Sequence, residues 1–169
     1  MAFIEEDGKI VSFADFDDVQ ERDRRLFEIN EGLTDFYIED LLIRATERIL
    51  FKIRSTDWWK TNYIRRNPES QYSNAAQIPL PDPDLVIGRK TDFTDLVVYF
   101  ALSEYIYPTV ADFGNDEDNE RNKMQFYSNK WESLYNELIR SGDWYDWDAN
   151  GEIDDDEKSA GKINLKRIR

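Results

Sequence analysis

Ile38, Leu41, Leu42, Ala45, Ile49 and Ile53 recur every three or four positions in one unbroken stretch of the chain. That spacing places them on one face of an α-helix and commits the face to burial. Thr34 stands where an N-cap is needed. The charges are graded to suit the helix dipole, with Asp35, Glu39 and Asp40 early and Arg44, Arg48, Lys52 and Arg54 late. A long one-sided helix must be covered by others, and the sequence offers them. Around residues 91–107 the run from Leu96 to Leu102 is apolar on nearly every side, which predicts a central helix stopped by Pro108. Met124, Tyr127, Trp131, Leu134 and Leu138 form a second packing stripe that ends near Ser141 and Gly142. Residues 15–28 predict a first helix, capped by Ser12 or Asp15, facing Val19, Leu26 and Phe27 inward and ended by Asn30, Glu31 and Gly32.

Phe3, Ile4, Ile10 and Val11 flank an Asp7-Gly8 turn, a hairpin signal over residues 3–13. Two strands alone are marginal, so this hairpin needs the helices or a neighbouring subunit to lean on. Pro68, Pro79, Pro81 and Pro83 make residues 67–89 an extended loop, and residues 111–118 an acidic linker. The fold class expected is mainly α: a compact bundle of about four helices with a short N-terminal β-hairpin, a long Pro-containing loop and an extended C-terminal arm. The body covers residues 1–142, followed by an acidic loop at 143–157 and a basic arm at 158–169.

Residues 146–157 fit the twelve-residue calcium loop of an EF-hand position by position. The liganding places hold Asp146, Asp148, Asn150, Glu152, Asp154 and Glu157, with Gly151 at the sharp turn and Ile153 at the apolar position. In a chain so rich in acids, the alternative is an unfilled acidic turn. A sensor needs a loop held between two helices and a partner loop. Here Gly142 breaks the entering helix four residues early, and residues 154–160 leave room for about two turns beyond. A calcium staple of weak affinity, about 10⁻⁴ to 10⁻³ M, fits better than a switch.

The chain has no Cys and no His, which removes thiol nucleophiles, disulfides, the usual zinc sites and imidazole bases. Its acids are adjacent, as in Asp17-Asp18 and Glu39-Asp40, rather than set across a cleft as paired-carboxylate catalysis requires. No catalytic residue is assigned, and no enzyme is expected. No apolar run approaches the roughly 20 residues that span a bilayer, so no membrane partner is expected. The net charge of −14 opposes phosphate binding. It is unevenly placed, however: the last twelve residues contribute +5, so the first 157 carry −19. In that arm Lys158, Lys162, Lys166, Arg167 and Arg169 interleave with Ile163, Leu165 and Ile168, a pattern for adding to a neighbour's sheet or lying in an acidic groove. A disordered terminus and a nucleic-acid arm are the alternatives. Trp144, Tyr145 and Trp147 beside the loop read as anchors to the core rather than as a stacking platform. Trp58, Trp59 and Tyr63, at the end of the second helix, which starts behind Thr34, read as core closure or, alternatively, as a subunit interface.

The helical pattern at residues 38–50, the irregular loop, the apolar helix around residues 95–102 and the last long helix around 127–138 resemble the head-to-tail connector (adaptor or neck) proteins of tailed bacteriophages. The likeness covers about residues 12–140 and consists of helical patterns rather than signatures; the hairpin and the acidic loop depart from it. The resemblance implies a small α-helical structural virion protein at the head–tail junction, made in the host cytoplasm. Such proteins form a ring, commonly of twelve copies, beneath the portal, and extend the channel through which DNA passes without specific binding. It implies as partners the portal protein, docked by the arm at 158–169, and the next neck or tail-completion protein. Calcium is an optional cofactor that would set the direction in which the arm leaves. The rival classes are an acidic calcium-binding regulator and a DNA mimic.

Overall fold

A computed structural model of the chain describes residues 3–69, 74–111 and 119–158. Residues 112–118 of the acidic linker and all of the basic arm beyond Lys158 lie outside the described residues. Strands β1 (Ile4–Glu6) and β2 (Lys9–Ser12) pair antiparallel around Asp7 and Gly8, which both take positive φ as the tight turn demands. The hairpin leans on the body: Ile10 N–H donates to Asp84 Oδ1 at 2.9 Å, and just beyond β2 Phe13 N–H donates to Thr46 Oγ1 at 3.4 Å.

The helices are α1 (Phe16–Arg22), α2 (Arg24–Ile29), α3 (Asp35–Ser55), α4 (Asp57–Arg66), α5 (Lys90–Ala101), α6 (Tyr107–Val110) and α7 (Asn119–Ser141). The molecule is mainly helical, with the N-terminal hairpin as its sheet. Helix α3 buries the stripe read from the sequence, with Leu50 and Thr46 added to it, and Thr34 Oγ1 accepts from Tyr37 N–H at its start. Helix α5 lies between α3 and α7, and its residues Phe93, Leu96, Val97, Val98, Phe100 and Ala101 are all buried. Phe93 meets Phe13 and Trp144, while Phe100 meets Trp131, so the central helix is closed by aromatic rings at both ends.

Three local expectations are corrected. The single helix expected over 15–28 is two, because Asp23 leaves helical geometry with φ −144° and ψ 74°. Its carboxylate turns inward, where burial demands partners, and finds them on distant helices. The expectation that Trp58, Trp59 and Tyr63 end the second helix is also revised. Thr56 breaks α3 and caps a separate α4, its Oγ1 accepting from Trp59 N–H at 3.2 Å. Pro108, expected as a stop, stands inside α6. A π-helical turn at Leu102–Ile106 widens the helix ahead of it, easing the clash and the lost hydrogen bond that a proline brings.

Candidate functional site

The acidic loop begins on rigid ground. Gly142, with φ +57°, ends α7, and Trp144 then inserts fully into the core with its indole N–H donating to Leu138 O at 2.8 Å. Ile87 and Gly88 N–H groups donate to Trp144 O at 3.2 and 3.1 Å, and Asp146 N–H donates to Leu85 O at 2.9 Å. These bonds stitch the loop to the segment leading into α5. The approach is close: a Cβ at Gly88 would fall 2.6 Å from Ile153 Cδ1, 2.7 Å from Asp143 O and 2.9 Å from Trp144 Cα. Ile153, the apolar position of the calcium-loop pattern, thus packs over Gly88 of its own body. Beside it Arg89 takes a left-handed φ of 52° and is held by Asp92 at 2.6 Å, Ser141 at 2.9 Å and Glu137.

An aromatic wall backs the loop. Trp147 stacks on Trp59 at 4.7 Å between centroids, Tyr145 meets Trp59 edge-on at 4.9 Å, and Trp58 lies 4.9 Å from Trp144. Trp59 also stacks on Tyr63, and its indole N–H donates to Pro79 O at 2.9 Å. The three residues read as core closure or interface therefore pack within this chain, with Trp59 buried and Trp58 and Tyr63 half-buried. Tyr145 is buried enough that its hydroxyl pKa is pushed up to about 12, and that oxygen accepts from Asp82 N–H at 3.2 Å. Arg66 lies over the Trp147 ring and donates to Asp156 O at 3.0 Å, tying the far side of the loop to α4.

Inside the loop, Asp146 and Glu157 are 1% and 3% exposed, unusual burial for carboxylates. Backbone donors hold them. Asp146 accepts from Asn150 N–H at 3.3 Å and Gly151 N–H at 2.8 Å. Glu157 accepts from Trp147 at 2.7 Å, Asp148 at 3.2 Å and Asp154 at 3.1 Å. Gly151 takes φ +91°, the turn that its position in the pattern requires. Of the six expected ligands, the structure brings Asp146, Asp148 and Glu157 together, with side-chain oxygens within 4.8 Å of one another. Oxygens bound to one calcium at about 2.3–2.6 Å sit at most about 5 Å apart, so this separation and the all-oxygen donor set fit a hard cation. Asn150 is engaged otherwise: its Oδ1 accepts from Glu152 N–H at 2.8 Å, and its Nδ2 reaches Asp148 at 3.1 Å and Asp154 at 3.3 Å. Beyond Asp154 the chain makes one turn, closed by Lys158 N–H to Asp154 O at 3.0 Å, and no exiting helix is present among the described residues.

A third buried carboxylate, Asp23, was invisible to sequence reasoning. Asp23 accepts from Lys123 Nζ at 2.8 Å, from the Tyr107 hydroxyl and from the Tyr127 hydroxyl at 3.4 Å. Burial alone would raise its pKa, but the bonds from Lys123 and Tyr107 and the Lys123 charge outweigh that and lower it. Burial and the neighbouring Asp23 push the Tyr127 hydroxyl up to about 12. Its partners lie more than 80 residues away, and the only local sign was an acid in an otherwise helical run.

No helix among the described residues is long and apolar enough to cross a membrane. Comparison with protein-family models, with curated proteins and with solved structures finds no match to this chain.

Proposed function

We propose that this chain is a structural subunit of a phage head-to-tail connector, a ring beneath the portal, in which the acidic loop is a calcium-pinned joint between body and arm. The observation that carries the reading is an apolar surface divided between separate elements of a small acidic helical body. Ile29 on α2 and Phe126 on α7 flank one groove, while Phe51 on α3 lines another. Phe36 stands almost fully exposed at the start of α3. Apolar surface on unlike faces is what a head-to-tail ring requires, since each subunit then presents two different patches to its neighbours. The sequence resemblance to connector proteins supports the same reading. The acidic body suits a channel that DNA passes without sticking, because like charge suppresses phosphate contacts.

Asp146, Asp148 and Glu157 would hold the calcium, which supplies positive charge among three carboxylates. The chain's own part is to bury two of those carboxylates and fix them on backbone N–H groups, so that the segment after Glu157 leaves from a defined place. The arm at 158–169 then docks the portal through its alternating cations and aliphatic residues. Light scattering and negative-stain microscopy of the purified protein, alone and with a portal, test the reading. A ring, or ring formation on the portal, is expected, with portal binding lost when residues 159–169 are removed. A stable monomer that ignores portal and instead binds a nuclease or polymerase would overturn it in favour of a DNA mimic.

A further inference from the structure

On a chain of net charge −14, residues 44–66 carry seven bases and two acids. The α3 part of that basic stretch lines a groove of about 270 Å³ with Arg44, Glu47, Arg48, Phe51 and Tyr105. Its aromatic floor already attracts cations: Arg44 lies 5.8 Å from the Tyr105 ring centre and Arg54 4.1 Å from that of Phe51. Phe51 is 46% exposed. The cations of the groove are poorly matched in their own chain. Arg44 reaches Asp40 only at 4.0 Å, both side chains being solvent-exposed, and Arg48 has no ion pair among the described residues. Among the described residues, no acid forms a close ion pair with Arg44 or Arg48.

On the loop, Asp148, Glu152 and Asp154 are exposed with no ion pair among the described residues, while Asp155 meets Lys158 and Asp156 meets Arg66. Within one molecule the loop contributes no residue to the groove's lining. The loop is stitched to residues 85–88, just before α5, and Tyr105 lies beyond the far end of α5. Fifteen helical residues separate those ends by about 20 Å. We infer that the α3 groove receives the acidic loop of a second copy of this chain, an inference that rests on the connector reading. Loop into groove joins unlike faces, and repetition of such a contact closes a ring or grows a filament. Charge complementarity sets its register, and added salt weakens it.

Charge reversal tests the contact in the full chain, read by light scattering and sedimentation with circular dichroism as the check on folding. Arg44→Glu with Arg48→Glu reverses the groove. Glu152→Lys with Asp155→Lys reverses the loop without touching the three clustered carboxylates. Each variant is expected to weaken self-association by about tenfold to hundredfold, and an equimolar mixture of the two to restore it, because each reversed face then meets its opposite. If both folded variants assemble like the unmodified chain, this inference falls while the connector reading stands on its apolar patches. If the variants dissociate but their mixture does not reassemble, the loop is not the occupant and the inference falls. If the unmodified chain is monomeric at every concentration and on the portal, both readings fall.

Discussion

Two places in this molecule bury carboxylates, and they solve the problem in opposite ways. Asp23, 8% exposed, is matched by a cation and two hydroxyls drawn from α6 and α7. Asp146 and Glu157, still more buried, rest on five backbone N–H bonds, with the Asp148 carboxylate beside them and no side-chain cation bonded to them among the described residues. Backbone donors stabilise an anion but carry no net charge, so the loop keeps its negative charge where the body has neutralised its own. The first arrangement locks two helices together. The second leaves the carboxylates of Asp146, Asp148 and Glu157 clustered on backbone donors.

The contrast is sharpest if each site is broken separately. Removing Asp23 should have the largest effect, because Lys123 and two buried hydroxyls lose their acceptor. Asp23→Ala is expected to lower stability by about 3 kcal/mol, measured by urea unfolding, the lower end of the range for a broken buried pair because Lys123 is partly exposed. The same site sets an acid limb. With its pKa lowered in the fold, Asp23 stabilises fully above its ordinary value of 3.8, and that contribution is lost as pH falls below it. Thermal unfolding followed down through that range should therefore be steeper for the unmodified chain than for Asp23→Ala.

Calcium should act on the other site. At about one hundred times its dissociation constant it should stabilise the chain by about 2.7 kcal/mol, a rise of roughly 5–10 °C in Tm, and magnesium should do less. Asp146→Ala with Glu157→Ala should abolish that rise, whereas Asp23→Ala should keep it. Gly88→Ala should cost about 2 kcal/mol, because the added Cβ meets the backbone of residues 143 and 144 as well as Ile153. It should also weaken the calcium response by loosening the loop's seat. Least should come from Asp156→Ala: its pairing with Arg66 is at 4.0 Å and the carboxylate is largely exposed, so the change should stay within about 0.5 kcal/mol.

The legible parts of the fold were those written in local pattern. The α3 stripe with its Thr34 cap, the α7 stripe and its end near Ser141, and the hairpin turn at Asp7 and Gly8 all follow from periodicity and turn chemistry within a few residues. The positive φ of Gly151 was legible for the same reason. What escaped was set at long range. The break at Asp23 answers to Lys123 and Tyr107, and Gly88 is small because Ile153 and Trp144 press on it. The separate α4 has a local sign, a Thr56-Asp57 start soon after the α3 stripe ends at Ile53. Pro108 misled because a stop rule assumes a regular helix before it, and the π turn changes that geometry.

Calcium pinning requires that the three clustered carboxylates bind a metal ion. Isothermal titration of calcium into the unmodified chain and into Asp146→Ala with Glu157→Ala tests this directly. One site per chain of about 10⁻⁴ to 10⁻³ M is expected, absent from the variant; no binding to the unmodified chain, or equal binding to both, would contradict calcium pinning.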